Sequence, residues 1–177
     1  MKKLVNILFV ALALTQLCSC LGDNTWDQYK DWRNANNEWY SQQKASGEYQ
    51  TITAPWDASA EVLMHWHNDT LSTRNNLKPL LSSTVDVKYH GRLYDDVAFD
   101  SSYRSKSPAD SIFRTTINSG VIEGWMIALT NMHVGDSCTV IIPYEQAYGS
   151  SSSSSIKPYS VLIFDMKLKD IYGYKKN

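Results

Sequence analysis

The sequence predicts an α+β fold, a curved antiparallel sheet with a separate helical arm at its N-terminal side. Three observations carry this. Short segments with period-two alternation recur after residue 60, one short helical stretch lies among them, and an aromatic stripe at three- and four-residue spacing precedes them. With 177 residues, 43% hydrophobic and 20% charged, the chain has material for one globular core and a modest extension.

At the N-terminus, Lys2 and Lys3 precede an apolar run over residues 4–17, the layout of an export signal covering residues 1–19. The run is shorter than the roughly 20 apolar residues a membrane-spanning helix needs, and no later stretch is comparable. Leu17-Cys18-Ser19-Cys20 resembles a bacterial lipobox, in which a small residue precedes the lipidated cysteine. Ser19 is small and Leu17 is bulky, so Cys20 is the expected lipid acceptor, against an ordinary cleaved signal as the alternative. Several acyl chains on one cysteine would anchor the chain stably to a membrane of the cell envelope, expected to be the outer membrane with the protein facing the periplasm or the surface.

Of the three cysteines, Cys18 would leave with the signal and Cys20 would carry the lipid, leaving Cys138 without a disulfide partner. Its apolar setting, Cys138-Thr139-Val140-Ile141-Ile142, reads as core. The formal charge is -1 with 17 basic and 18 acidic side chains, and without Lys2 and Lys3 the count is 15 against 18, or -3. That balance argues against a nucleic-acid partner.

Residues 20–59 form the arm and a connection. Trp26, Tyr29, Trp32, Asn36, Trp39, Tyr40 and Gln43 fall on one face of a helix, with Asn24 as its cap, Asp27 in its first turn and Gly47 as its stop. Such a face must be buried somewhere: on the chain's own domain, in a homodimer, or against clients. Residues 48–59, with Pro55, read as a linker or irregular arm.

Strands follow. Val62, Met64 and Trp66 alternate with Leu63, His65 and His67; Val85, Val87 and Tyr89 alternate with Thr84, Asp86, Lys88 and His90, the pattern of a sheet with one buried side. Further strands are predicted near residues 111–117, 136–142 and 160–171, and a short helix over 124–131. The serines at 150–155 read as a low-complexity loop too polar and flexible to pack. His65 and His67 share a strand face but lack an evident third ligand, so they read as exposed histidines rather than a metal site.

Several motifs then occur in one order: Val87-Lys88-Tyr89-His90-Gly91-Arg92-Leu93, Phe99-Asp100-Ser101-Ser102, Val121-Ile122-Glu123-Gly124-Trp125, Met132-His133-Val134-Gly135-Asp136, Ala147-Tyr148-Gly149 and Val161-Leu162-Ile163-Phe164-Asp165-Met166. In order and spacing they resemble the FKBP-type peptidyl-prolyl cis/trans isomerases, over a domain spanning residues 60–172 with a tail at 173–177. The resemblance implies a half-barrel wrapped on the short helix and a shallow apolar pocket that needs no metal or cofactor. Carried over residue by residue, Trp125 is the pocket floor, Tyr89, Phe99 and Phe164 its walls, Phe113 a rim aromatic, and Val121 and Ile122 the rim where a backbone N–H meets the ligand. Asp100 is the pocket carboxylate, Tyr148 the hydroxyl donor, and Ile156 the aliphatic residue after the flap. Asp100, Tyr148 and Trp125 are the expected catalytic residues.

The implied substrates are proline-containing segments of exported polypeptides. Two rival readings are a module that grips a proline loop without turnover and a structural surface lipoprotein. The family's usual Asp-Gly hairpin tip reads Asp95-Asp96-Val97-Ala98 here, and the serine run replaces its flap. Both departures bear on preference around the proline and on macrolide affinity.

Overall fold

The computed structural model describes residues 25–174. The predicted export signal, Cys18, the lipid acceptor Cys20, the capping Asn24 and the last three residues of the tail lie outside the described residues.

The arm is helical as its periodicity requires, in two pieces, α1 (Thr25–Gln28) and α2 (Lys30–Ala45). Gly47 follows α2 at φ +77°, the left-handed conformation that only glycine adopts without a Cβ penalty, and the helix stops there. Most of the predicted face is turned inward, with Trp26 the exception at 53% exposed. Asn36 is fully buried, and Trp32, Trp39 and Tyr40 are partly so. Arg33 joins them at 5% exposed, its guanidinium carbon 3.3 Å from the centre of the Trp26 ring.

Of residues 48–59, expected to be a linker or irregular arm, 50–54 and 57–59 are instead strand. β1 (Gln50–Ala54) pairs antiparallel with β2 (Asp57–Trp66), Ile52 opposite Val62, and Pro55 and Trp56 make the tip. Pro55 marks the turn, where its missing N–H breaks no ladder. β3 (Thr84–Leu93), β4 (Ala98–Ser101), β5 (Phe113–Thr116), β6 (Ser137–Ile142) and β7 (Leu162–Ile171) complete an antiparallel sheet in the order β1-β2-β6-β7-β3-β4, with β5 also on β3. Register shifts at Asp86/Val87 and Gly91/Arg92 increase the local twist of β3, helping the sheet to curl. At the hairpin tip, Asp96 takes φ 64°, a left-handed position that aspartate tolerates better than most residues.

On the concave face sits α4 (Glu123–Leu129), preceded by the single turn α3 (Ile117–Gly120). The main core gathers Val62, Met64, Val85, Val87, Tyr89, Trp125, Ile127, Leu129, Val140, Phe164, Met166 and Leu168. β3 alternates without a break between buried and half-buried residues, as its sequence does.

One buried side is not the whole description of β2, β6 and β7. Leu63, Ile141 and Ile163, which face away from the main core, are also sealed, with Val161, beneath Trp39, Tyr40 and Tyr49. Helix α2 lies across the convex face and makes a second small core there. This is why Leu63 and its cross-strand partner Ile141 are apolar although they fall out of phase with the concave face.

Candidate active site

The pocket is built where β3, β4, β5, α4 and β7 converge. Gly120, Val121 and Ile122 bring the chain into α4, so that Trp125, in the helix's first turn, points at the sheet and is 4% exposed. Its indole forms the floor. Tyr89 stands edge-on to it at 4.9 Å and Phe164 at 5.1 Å, with Phe113 at 6.1 Å, all near 85–90°. Phe99 stands edge-on to Phe164 at 5.5 Å. Edge-to-face contacts of this kind place each ring's positive rim against a neighbour's negative face and fix the orientation of all five rings.

These rings, with Asp100, Gly120, Val121, Ile122 and Tyr148, line a cavity of about 110 Å³. The structure thus brings Tyr89, Phe99, Asp100, Phe113, Val121, Ile122, Trp125, Tyr148 and Phe164 to one pocket. Ile156 is placed otherwise: it is 6% exposed, packs in the main core and does not line the cavity. A one-residue bridge to Ser153 directs its side chain inward beneath the loop. Gly120 is the lining residue that sequence reasoning missed. Its glycine identity was the available signal, because a Cβ there would collide with the Thr115 hydroxyl.

Polar groups are few and held. The Tyr89 hydroxyl donates to Asp100 Oδ2 at 2.5 Å, while the Ser101 backbone N–H donates to Asp100 Oδ1 at 2.7 Å. Burial, the hydrogen bond to Asp100 and the carboxylate's charge together push the Tyr89 phenol well above its ordinary value, so it remains a donor across physiological pH. The Ile122 N–H, just ahead of α4, has no acceptor among the described residues. Tyr148 is 41% exposed and makes no side-chain hydrogen bond among them. Phe99 and Asp100 are shared with a second groove lined also by His90, Ser101, Tyr103 and Arg104.

Elsewhere, Cys138 is fully buried against Met132, and burial pushes its thiol pKa up, opposite to what a nucleophile requires. His65 binds the Glu48 carbonyl and His67 the Thr139 hydroxyl, each at 2.9 Å. No group of three His, Cys, Asp or Glu side chains among the described residues is arranged to hold a metal ion. No helix among them is long and apolar enough to cross a membrane.

A family model described as FKBP-type peptidyl-prolyl cis-trans isomerase matches residues 76–169, which is the half of the chain that holds this pocket. The chain belongs to the FKBP family. Within it, the chain is 42% identical over 94 residues to the FKBP-type 22 kDa peptidyl-prolyl cis-trans isomerase of Escherichia coli K12, a match covering 52% of this chain and 43% of that protein. It is 34% identical over 126 residues to FK506-binding protein 2 of Aspergillus oryzae, covering 70% of this chain and 89% of the relative. Among solved structures, a peptidyl-prolyl cis-trans isomerase from Pseudomonas syringae pv. tomato superposes with a TM-score of 0.65 at 28% identity, covering 81% of this chain and 95% of the other. The chain spans less than half the length of the Escherichia coli FKBP relative.

Proposed function

We propose that the protein is a peptidyl-prolyl cis/trans isomerase acting on X–Pro bonds of exported polypeptides, held in the cell envelope by a lipid on Cys20. The observation that carries the catalytic reading is the pocket itself: an aromatic-lined cavity of about 110 Å³, with an N–H at Ile122 on its rim that has no acceptor among the described residues.

The chemistry asks for little else. An X–Pro bond resists rotation by roughly 18–20 kcal/mol because resonance keeps the amide planar. The planar form is the more charge-separated, so water stabilises it over the twisted transition state. Five aromatic rings exclude that water, and the proline ring lies on Trp125 between Tyr89, Phe99 and Phe164. The Ile122 N–H binds a substrate carbonyl and fixes the peptide, while the Tyr148 hydroxyl reaches the substrate from the open side. Asp100 transfers no proton, since none moves. It presents a fixed negative charge, held by Tyr89 and Ser101, to the dipole that changes as the amide twists. Each tenfold in rate requires about 1.4 kcal/mol of stabilisation present only in the twisted state.

The convex face bears on the partners. Trp32, Trp39 and Tyr40 pack against the chain's own domain, which supports the arm's burial there over a homodimer through the same face. The proposed activity is tested by the isomerisation rate of a Leu-Pro peptide with the chain from Asp23 onward, alongside Asp100→Ala and Trp125→Ala. Acceleration that both variants reduce while staying folded supports the assignment. Wild-type rates in both folded variants would remove it.

A further inference from the structure

The serine loop lies next to Tyr148, yet it has almost nothing of its own to fold around. Its order comes from outside. The Tyr159 N–H donates to the Gly149 carbonyl at 2.8 Å and closes the loop at its base, one residue from the pocket's Tyr148. Within the loop, the Ser151 N–H binds the Tyr148 carbonyl at 3.0 Å, and Ser153 and Ile156 exchange backbone bonds at 3.0 and 2.8 Å. The run of serines is therefore a closed turn rather than the floppy segment its composition predicts.

Tyr159 does this from an unfavourable conformation. Its φ is 61°, in the left-handed region that a bulky residue occupies only when its surroundings over-determine it. Those surroundings come largely from the helical arm. The Tyr159 ring is 5% exposed, edge-on to Trp26 at 5.5 Å and to Tyr144 at 5.3 Å, and its hydroxyl shares a hydrogen bond with Thr25 at 3.1 Å. The next contacts run down α2. Trp32 Nε1 donates to Ser160 Oγ at 3.1 Å, and that hydroxyl donates to the Lys157 carbonyl at 2.7 Å, while the Lys157 ammonium sits 4.4 Å above the Trp32 ring. Fully buried Asn36 accepts the Val161 N–H at 2.8 Å and donates to the Trp32 carbonyl at 2.8 Å.

We infer that the helical arm is part of the active site's framework: Tyr159, gripped by Thr25, Trp26 and Trp32–Ser160, is a positioning residue that holds the serine loop and Tyr148 at the pocket's edge. This rests on the isomerase reading above. It assigns the aromatic helix a role in substrate binding, distinct from a dimer or client module. Without the grip, the polar loop has too few contacts to offset its conformational entropy, and Tyr148 loses its fixed approach to the substrate.

The test uses the chain from Asp23 onward with Tyr159→Gly, Trp32→Phe and Trp39→Ala. Glycine accepts φ 61° without strain, so Tyr159→Gly removes the ring but not the backbone conformation. Trp32→Phe removes only the Nε1 donor and part of the ring. Trp39 packs on the second core and against the Tyr94 ring, with no ring contact or side-chain hydrogen bond to Tyr159 or the serine loop among the described residues, so it reports the structural cost of weakening α2. Two quantities are read: hydrogen exchange of the Ser151, Ser153 and Ile156 amides, and kcat and KM for a Leu-Pro peptide.

Tyr159→Gly and Trp32→Phe are expected to speed loop exchange about tenfold and raise KM about fivefold, with kcat within about twofold. Trp39→Ala should lower Tm and leave both quantities near wild type. Wild-type loop exchange and KM in Tyr159→Gly, or the same KM rise in Trp39→Ala, would overturn the inference. Should the wild-type chain fail to accelerate isomerisation, the parent reading falls, and loop exchange in the same three variants still decides whether the arm holds the loop.

Discussion

Gly91→Ala tests how tightly the pocket walls depend on the strand beneath them. Gly91 sits on β3 opposite Phe164 of β7 on one side and Asp100 of β4 on the other. Its φ is not in the left-handed region, so the objection to a side chain is steric. A Cβ would lie 2.8 Å from Phe99 Cζ and 2.9 Å from both Phe99 Cε2 and Phe164 Cε1. Carbon atoms rest at about 3.5–4.0 Å, so each contact is short by about 0.6–1.2 Å. Phe164 is 5% exposed and wedged edge-on to Trp125, which leaves the half-buried Phe99 to move and to carry its neighbour Asp100 with it. Overpacking of this kind costs about 1–3 kcal/mol, or roughly 2–12 °C in Tm at about 2–4 °C per kcal/mol for a chain of this size. Misplacement of a catalytic group by about 1 Å can lower the rate by about a hundredfold, so kcat/KM should fall at least tenfold. Thermal unfolding and NMR exchange on a Leu-Pro peptide measure both. A variant with Tm within about 1 °C of wild type and an unchanged kcat/KM would refute the packing argument.

Three further outcomes follow from named groups. Tyr89→Phe removes the donor to Asp100 and leaves the ring, so kcat/KM should drop about tenfold and stability should fall by at most about 1.5–3 kcal/mol, the net contribution of a hydrogen bond to a charged group. A rate unchanged in this variant would mean that Asp100 is not held by Tyr89 for catalysis. Asp136 is fully buried: burial opposes its charge, but hydrogen bonds from Thr73, the His133 N–H and Asn68 outweigh that and hold its carboxyl below the usual range. A depressed carboxylate contributes stability that is present above its unfolded value near 3.9 and lost as pH falls through the folded value. Asp136→Asn should therefore flatten the acid limb of the stability curve below about pH 4, and an unaltered limb in urea titrations would contradict this. Cys20→Ala should move the full-length protein from the membrane to the soluble fraction of fractionated cells and abolish metabolic labelling with palmitate. Membrane retention with intact labelling would reject Cys20 as the acceptor.

Much of the concave side was legible because period two is a strong signal where one face is buried. Val85, Val87 and Tyr89, then Phe164, Met166 and Leu168, point inward as their alternation requires. The helical arm was legible for a similar reason, its inward residues recurring at three and four. Less visible was where that face would go. Leu63, Ile141 and Ile163 lie in strands whose other face is also buried, and an apolar residue out of phase looks the same whether it is exposed or covered by a distant helix. β1 was missed because five residues beside Pro55, with one inward-facing isoleucine, carry too short an alternation to stand out.

The pocket's membership was readable through ordered motifs, Phe113 included, because aromatic and glycine positions at fixed separation are demanding. Ile156 was not: its direction depends on the turn at Ser153, which nothing in six identical residues encodes. Tyr159 likewise gave no sign of its left-handed backbone, since that conformation is imposed by Trp26, Tyr144 and Thr25, two of which are more than a hundred residues away.

The measurement that bears most directly on the central claim is the cis–trans exchange rate of a Leu-Pro peptide in the presence of substoichiometric protein. An isomerase raises exchange in proportion to protein concentration, saturates with peptide, and shifts the Ile122 amide and Trp125 indole signals as it does so. Those same shifts without any acceleration would mean that the pocket grips proline and does not turn it over, contradicting the account.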